Sequence, residues 1–304
     1  MNEFSPKSNN TKTAFSLIEL SVVILIIGIL VLGVTQGSRM MSEVKLTSAR
    51  SLTTSSPVAS IEGLAVWLDS TSENAFGIGS GGTYNNVSAP GDGAKVGRWN
   101  DINPTSTSKI DVVQSTLGNQ PIYKTNAING LPALKFDGSD DDLITGPNLN
   151  FSNEMTVFVL TKLDSFSTAT NGKNILSISP IGSGELYLAY GTNKMQCYIT
   201  RFNPVGWKPH STSLTNLTNL ISLRIKETEA QMYINGGDRT DITVNIGNFP
   251  KNNALYLGRR TDIITSSHFP GHIGEVIIFN RALKDKEIKS IESYLGQKWG
   301  IKVS

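Results

Sequence analysis

The sequence predicts a mainly β protein in which an N-terminal transmembrane helix precedes a β-sandwich and a short C-terminal helix. The first observation is a long, mostly apolar run at residues 15–34 of the 304-residue chain. The second is composition, because 17% charged residues, 28 glycines and many Ser, Thr and Asn residues are typical of an all-β body. The third is a series of strand-length apolar segments separated by turn residues such as Asn-Gly.

The apolar run, FSLIELSVVILIIGILVLGV, is long enough to span a membrane as a helix. A helix rises about 1.5 Å per residue, so the run extends over about 30 Å, the thickness of a bilayer's hydrocarbon core. Its single charge is Glu19. A carboxylate inside a membrane costs on the order of several kcal/mol unless it is paired, so Glu19 requires a partner.

Two simple interpretations of this segment are a secretory signal peptide and a plain membrane anchor. The run is longer than a usual signal-peptide core and no A-x-A-like cleavage site follows it, which disfavours the signal peptide. Length alone permits an anchor whose glutamate reaches the membrane surface. Charge does not settle its orientation, because Lys7 and Lys12 before the run are balanced by Arg39, Lys45 and Arg50 after it.

The residues around the start of the run are more specific than either interpretation. Lys12, Thr13 and Ala14 precede the segment F-S-L-I-E-L, which resembles the N-terminal methylation motif of type IV prepilins and type II secretion pseudopilins. The resemblance implies cleavage by a prepilin peptidase between Ala14 and Phe15, followed by methylation of the new N-terminus at Phe15. It also implies that Glu19 pairs with the N-terminal amine of a neighbouring subunit, a contact that stabilises a buried carboxylate and fixes register. The family usually has Gly where this chain has Ala14.

The sequence predicts four segments. Met40, Met41 and Val44 share one face of a helix, which favours an amphipathic extension of the apolar helix. The Ser- and Thr-rich stretch TSARSLTTSSPVAS then predicts a linker. The predicted segments are a leader at 1–14, the helix and its extension at 15–46, the linker at 47–60 and one β-sandwich domain at 61–304.

Alternation of apolar and polar residues identifies the strands of this domain. In the segment LISLRIK (220–226), Ile221, Leu223 and Ile225 alternate with polar residues and define one buried face. A turn leads to the strand EAQMYI (229–234), and an Asn-Gly pair then closes a second turn. The further strands are predicted at 64–68, 131–137, 155–162, 174–179, 185–190, 194–200, 240–246, 254–258 and 273–279. A C-terminal helix bearing Ile288, Ile291 and Leu295 on one face is expected to end at Gly296.

Several segments of the body together resemble the concanavalin A-like or laminin G-like jelly roll. They are GLAVWLDS, WNDINP, NGLPALKFDGSDDDL, MTVFVLTK, QMYINGG and the final segment from GHIGEVIIFN to QKWGI. The resemblance implies the fold and leaves the ligand open, because this fold hosts lectins, glycanases and structural modules.

The sequence offers no recognisable catalytic arrangement, so we expect no enzyme. Glycanases of this fold place paired carboxylates alternately on one strand, but no E-x-D-x-E pattern occurs, and Glu185 and Glu275 each stand alone. The histidines His210, His268 and His272 lie in predicted loops or at a strand start and suggest no Ser-His-Asp set. The single cysteine, which alternation places in the core, excludes an intrachain disulfide and a thiol-rich metal site.

Tryptophans are the candidate ligand-binding residues, because exposed aromatic rings are common platforms for sugars. Trp67 and Trp299 have apolar neighbours and are expected in the core. Trp207 lies in the loop NPVGWKPH and is the best candidate for an exposed ring. Trp99, flanked by polar residues, fits either the core or a binding site.

Calcium is the one cofactor that the sequence suggests. Asp137, Asp140 and Asp141 cluster around Gly138, and calcium prefers oxygen ligands. The favoured interpretation is a turn at the end of a strand whose carboxylates cap backbone amides, because the spacing matches no known calcium loop.

Together these features predict a non-catalytic minor pilin or pseudopilin-like subunit of a type IV pilus or type II secretion-type filament. It would display a lectin-like domain for adhesion or binding. The expected partners are other pilin subunits, the prepilin peptidase, the inner membrane and a glycan or surface ligand, and the net charge of +2 gives no basic surface for nucleic acid. The expected location is the bacterial inner membrane, single-pass, with the domain outside the cytoplasm. The alternatives are a membrane-tethered carbohydrate-binding protein outside any filament and, less favoured, a glycan-acting enzyme.

Overall fold

A computed structural model gives the architecture of the chain in two compact units, Met1–Val44 and Lys45–Ser304. The predicted leader, Ala14 and Phe15 lie outside the residues that it describes. The described residues are 16–87, 89–146, 149–150, 154–166, 172–179, 186–199, 206–227, 229–237, 239–243, 252–261 and 267–304.

Helix α1 (Leu17–Thr54) contains the apolar segment. Residues Leu17–Val34 have a mean hydropathy of 3.0 and none of them is buried by the chain, so this part is long and apolar enough to cross a membrane. Side-chain hydrogen bonds cap the start of the helix. The backbone N–H of Ser16 donates to Glu19 Oε2 at 2.9 Å, and the backbone N–H of Ile18 donates to Ser16 Oγ at 3.3 Å.

The structure differs from the predicted linker, because α1 continues through residues 47–54. The hydroxyl groups that favoured a linker bond back to the helix instead. Thr54 Oγ1 donates to the Arg50 carbonyl at 3.1 Å, and Ser55 Oγ donates to the Ser51 carbonyl at 3.0 Å. Ala49 is 1% exposed, so packing against the body outweighs the low helix propensity of this stretch. A short 3₁₀ helix, Val58–Ser60, follows.

Two antiparallel sheets form the body. Sheet A contains β1 (Leu64–Asp69), β6 (Ile122–Ile128), β7 (Leu131–Asp137), β9 (Met155–Leu163), β14 (Thr218–Lys226), β15 (Glu229–Ile234), β16 (Arg239–Thr243) and β18 (Pro270–Phe279). Its strand order is β16-β15-β14-β9-β18-β7-β6, with β1 also paired to β18. Sheet B contains β2 (Phe76–Ser80), β3 (Thr83–Val87), β4 (Arg98–Trp99), β5 (Val112–Val113), β8 (Leu143–Ile144), β10 (Lys173–Ser179), β11 (Leu186–Gly191), β12 (Lys194–Ile199), β13 (Lys208–Pro209) and β17 (Ala254–Leu257). Its order is β13-β12-β11-β10-β17-β8-β5-β4-β2-β3.

The predicted mainly β fold is confirmed, and the hairpin β14–β15 shows how alternation produces it. Ile221, Leu223 and Ile225 are all fully buried in the core between the sheets. They lie opposite the apolar residues of β15 in register. Asn235, with φ of 52°, and Gly236, with φ of 67°, form the predicted turn after β15.

A second core lies on the outer side of sheet A, where helix α2 (Asp285–Trp299) packs. Ile288, Ile291 and Leu295 are buried there, as their spacing predicts. The prediction that α2 ends at Gly296 is wrong, because the helix continues to Trp299 and Gly300 terminates it with φ of 65°. Gly296 instead allows a close contact, since a Cβ there would lie 2.5 Å from Val303 Cγ2.

A buried ion cluster lies at the centre of this second core. Lys298 Nζ is 2.8 Å from Asp69 Oδ2 and 2.7 Å from Glu275 Oε2, and all three side chains are fully buried. The prediction that Glu275 stands alone is therefore wrong. No local sequence pattern indicates this cluster, because Asp69, Glu275 and Lys298 lie far apart in the chain.

Hydrogen bonds complete the cluster and attach the end of α1 to it. The indole N–H of Trp67 donates to Glu275 Oε1 at 2.9 Å, and that of Trp299 donates to Glu275 Oε2 at 2.8 Å. The Tyr294 hydroxyl also donates to Glu275 Oε1, at 2.8 Å. Thr53 Oγ1 donates to Asp69 Oδ2 at 2.9 Å. Burial acts to raise the pKa of Asp69, but the Lys298 ammonium and the hydrogen bonds outweigh it and hold this pKa below its usual value.

We expect Lys298→Met to lower the free energy of unfolding by about 3–5 kcal/mol, because it leaves two buried carboxylates without their cation. The matched control is Lys302→Met, which changes an exposed lysine near the C-terminus and is expected to change stability by less than about 0.5 kcal/mol. Urea unfolding followed by tryptophan fluorescence measures both. Equal stability of the two variants would contradict the role given to the cluster.

Candidate functional site

The candidate site lies on the outer face of sheet B, the side away from the core between the sheets. One row of paired residues across β12, β11, β10 and β17 consists of Tyr198, Tyr187, Ser177 and Tyr256. The residues next to them along the strands, such as Leu188 and Cys197, lie in the core between the sheets. Because side chains alternate along a strand, the tyrosines lie on the outer face.

A tight hairpin determines which tyrosines meet. Thr192 and Asn193, with φ of 49° and 58°, form a two-residue turn between β11 and β12. This turn sets the register that places Tyr187 opposite Tyr198. The two rings stack with their centroids 5.5 Å apart.

Trp207 completes an aromatic cluster with Tyr187 and Tyr198. Its ring centroid lies 6.1 Å from that of Tyr187 and 5.6 Å from that of Tyr198. Trp207 and Tyr198 are partly exposed, whereas Tyr187 is 2% exposed. The Arg260 guanidinium carbon lies 4.6 Å from the Tyr187 ring centroid. We call Tyr187, Tyr198 and Trp207 the aromatic cluster.

The structure thus places Trp207, the predicted exposed ring, beside two partners that the sequence analysis missed. Alternation in the segments LYLAYG and KMQCYI was the signal that could have placed Tyr187 and Tyr198 on the outer face. Pairing them also required the register of β11 and β12, which the sequence does not show. Trp99, the other candidate, is fully buried and packs on Phe76 with centroids 5.7 Å apart, so its ring presents no binding surface.

The acidic turn after β7 brings Asp137, Asp140 and Asp141 together, with one carboxylate oxygen of each within 4.8 Å of the others. Its carboxylates cap backbone amides. Asp137 Oδ1 accepts from the N–H groups of Ser139, Asp140 and Asp141 at 2.8, 3.3 and 3.4 Å. Asp141 Oδ2 accepts from the Asp137 N–H at 3.0 Å.

The charges around this turn do not fit a bound cation. Lys95 Nζ lies 3.4 Å from Asp141 Oδ1, so an ammonium already faces that carboxylate. Burial and the charge of Asp137 raise the pKa of Asp141 to about 6, although Lys95 opposes the shift. A cation site requires oxygens that are free and ionised, and here they are engaged by the chain itself.

The titratable groups of the described residues form no accessible catalytic set. Asp69 and Glu275 both bind Lys298, but the three side chains are fully buried and closed to a substrate. His272 lies within β18 and is 9% exposed, and burial lowers its pKa to about 4. Cys197 is fully buried, as predicted, and burial raises its pKa to about 12, which keeps the thiol unreactive.

Two family models match the chain in the predicted order. Residues 9–35 match the prokaryotic N-terminal methylation motif, and residues 137–289, half of the chain, match the concanavalin A-like lectin/glucanases superfamily. The chain belongs to the concanavalin A-like lectin/glucanases superfamily. Members of this superfamily share the sandwich described above, so the match explains why the sandwich forms and leaves the ligand open.

Solved structures support the same fold. Trypanosoma rangeli sialidase in complex with 2,3-difluorosialic acid is 16% identical with a TM-score of 0.50, over 85% of this chain and 39% of the sialidase. The complex of the same sialidase with 2,3-difluoro-KDN is 15% identical with a TM-score of 0.51, over 78% of this chain and 33% of the sialidase. The chain thus spans little more than a third of the sialidase, and such low identities show the fold alone. Comparison with curated proteins finds no match.

We expect millimolar calcium to leave the thermal unfolding midpoint of the protein unchanged, because backbone amides and Lys95 already engage the acidic turn. Differential scanning fluorimetry with calcium and with a chelator measures this. A ligand that binds the folded state raises the midpoint in proportion to its concentration. Such a rise, abolished by Asp137→Asn, would contradict the assignment of the turn as a backbone cap.

Proposed function

We propose that the chain is a non-catalytic minor subunit of a type IV pilus or type II secretion-type filament that displays a carbohydrate-binding domain. The observation that carries the proposal is the match to the methylation motif at residues 9–35, which contains the apolar helical segment Leu17–Val34 that the chain itself leaves uncovered. The size of the body favours a minor subunit over a bulk filament component.

The assembly part of the proposal rests on the apolar segment and Glu19. Side chains from Leu17 to Val34 are exposed in the single chain, so they require lipid or neighbouring helices around them. The family resemblance implies that the helix lies in the inner membrane before assembly and then packs beside the helices of other subunits in a filament. Glu19 then pairs with the amine of a neighbouring Phe15, which offsets the cost of a carboxylate in an apolar bundle.

The binding part rests on the aromatic cluster. Trp207 and Tyr198 present partly exposed rings on the outer face of sheet B, with the Arg260 guanidinium near Trp207. Aromatic rings combine an apolar face with a polar edge and suit ligands, such as saccharides, that have both apolar faces and hydroxyl groups. The close carboxylates Asp69 and Glu275 are sealed in the second core, which supports binding without hydrolysis.

The partners and location follow from the same motif. A prepilin peptidase would cleave after Ala14, other pilin subunits would pack on α1, and the domain would lie outside the cytoplasm. The net charge of +2 argues against nucleic acid as a partner.

A second candidate is a membrane-tethered carbohydrate-binding protein that never enters a filament. The cap at the start of α1 favours it, because Glu19 already accepts a hydrogen bond from the Ser16 backbone N–H within its own chain. The helix N-terminus also stabilises a negative charge at this position. On this account Glu19 starts the helix and needs no neighbouring subunit.

Glu19→Ala separates the two candidates. If Glu19 pairs with a neighbouring amine, the variant inserts into the membrane normally and its incorporation into sheared filaments falls at least about tenfold, the effect of losing a contact worth about 1.4 kcal/mol. The matched control is Glu43→Ala, which removes an exposed carboxylate from the same helix beyond the apolar segment. Quantitative immunoblots of membranes and filaments measure both variants. Incorporation of Glu19→Ala at the level of Glu43→Ala favours the tethered protein.

Trp207→Ala tests the binding site. On a glycan array followed by calorimetry, we expect the affinity for a bound glycan to fall about tenfold or more, because an aromatic contact worth about 1.4 kcal/mol is lost. Tyr233→Ala is the control, since Tyr233 is a partly exposed ring on β15 of the other sheet. Equal affinity of both variants and the unsubstituted protein would place the binding site elsewhere.

A further inference from the structure

A second row of outer-face residues lies next to the aromatic cluster. Asn174 of β10 pairs with Ala189 of β11, and Ala189 pairs with Gln196 of β12. The small Ala189 therefore lies between two side-chain amides. We call Asn174, Ala189 and Gln196 the amide row.

Three amide atoms of this row have no hydrogen-bond partner among the residues that the structure describes. Asn174 is fully buried, and neither its Oδ1 nor its Nδ2 has a partner there. Gln196 is 4% exposed, and its Nε2 has no partner there either. A buried polar group without a partner is costly and native proteins keep few of them, so unpaired amides on either side of Ala189 indicate a ligand.

The space around the amide row is bounded by Trp207 and Gly172. A Cβ placed on Gly172 would lie 2.9 Å from Gln196 Nε2, 3.0 Å from Ala189 Cβ and 3.4 Å from Trp207 Cη2. These four residues therefore converge on one small region. Gly172 has φ of 66°, a conformation that favours glycine, and a side chain at this position would overlap Gln196 Nε2.

The chemistry of this region selects one group. Asn174 offers a donor and an acceptor, Gln196 offers a second donor, and the Ala189 methyl group forms an apolar surface between them. The groups are neutral, so they match a neutral ligand that itself carries a donor, an acceptor and a small apolar end. A secondary amide with a methyl group has these features, and a lone hydroxyl group does not.

We propose that the amide row binds the acetamido group of an N-acetylated sugar whose ring rests on the aromatic cluster. The acetamido carbonyl accepts from Gln196 Nε2 or Asn174 Nδ2, the acetamido N–H donates to Asn174 Oδ1, and the methyl group packs on Ala189. This inference rests on the proposed carbohydrate-binding function and names the class of sugar that the site selects.

Entry to the amide row requires Trp207 to move. Trp207 precedes β13, a two-residue edge strand that pairs with β12 through Lys208 and Pro209, and the N–H of the next residue, His210, donates to the Met195 carbonyl at 2.7 Å. Displacing Trp207 breaks its ring contacts with Tyr187 and Tyr198. Contact of the indole with the bound sugar ring replaces these contacts.

Two trisaccharides that differ at one substituent per ring test the proposal. Triacetylchitotriose carries an acetamido group where cellotriose carries a hydroxyl group. Calorimetry on the full chain in detergent micelles is expected to show at least about tenfold tighter binding of triacetylchitotriose, because sites with unpaired buried polar groups reject ligands that leave them unpaired. Asn174→Leu is expected to bring the two affinities within about twofold, and Trp207→Ala to weaken both.

A stability measurement separates a binding role of Asn174 from a structural one. Asn174→Leu removes an unpaired amide and is expected to leave the protein at least as stable as the unsubstituted chain. Lower stability together with an unchanged preference would show that Asn174 serves the fold through an internal water and would overturn the proposal. If Asn174→Leu does not fold, Ala189→Val provides the same test of the preference for triacetylchitotriose. Its added methyl groups fill the space proposed for the acetamido methyl group, while the amides of Asn174 and Gln196 remain.

The outcomes distinguish this inference from the proposed function. Equal affinity for the two trisaccharides, with loss of both in Trp207→Ala, overturns the acetamido assignment and retains the carbohydrate site. Binding of neither trisaccharide, nor of any other glycan on an array, overturns the carbohydrate-binding function itself. A preference for triacetylchitotriose that survives Asn174→Leu and Ala189→Val places acetamido recognition outside the amide row and also overturns the inference.

Discussion

The contact of Lys298 with Asp69 and Glu275 holds together the parts of the second compact unit. Asp69 ends β1, Glu275 lies in β18 and Lys298 lies in α2, and Thr53 adds the end of α1 through its hydrogen bond to Asp69. Removing two carboxylates and an ammonium from water is costly, so the cluster is stable only while its hydrogen bonds are complete. The indoles of Trp67 and Trp299 supply two of them and close the site to water. The final turns of α1 are therefore part of the second compact unit.

The two outer faces of the sandwich differ in what covers them. Helix α2 and the last turns of α1 cover the outer side of sheet A, where the second core excludes solvent. The outer face of sheet B instead carries the aromatic cluster and the amide row, which include partly exposed rings and unpaired amides.

Local patterns in the sequence predicted the elements, and contacts between distant residues decided the rest. Alternation was sufficient for β14 and β15, and an Asn-Gly pair was sufficient for the turn after β15, because both signals act within a few residues. The helical continuation through residues 47–54 was missed because burial of Ala49 outweighs a Ser- and Thr-rich composition. Glu275 was missed because its partners come from positions 69 and 298. Of the aromatic cluster, only Trp207 was predicted, from its position in a loop. Tyr187 and Tyr198 were missed because their pairing depends on the register of β11 and β12.

Delivery of this superfamily domain to a filament by a prepilin-type N-terminus requires that the leader be removed, so the mature N-terminus decides the proposal. Intact-mass and N-terminal peptide mass spectrometry of the protein, purified from membranes of a host that contains a prepilin peptidase, identifies that terminus. We expect a chain that begins at Phe15 and carries one methyl group on its amine. A chain that retains Met1 and the leader would contradict it, because no free amine would then lie next to Glu19 at the start of α1.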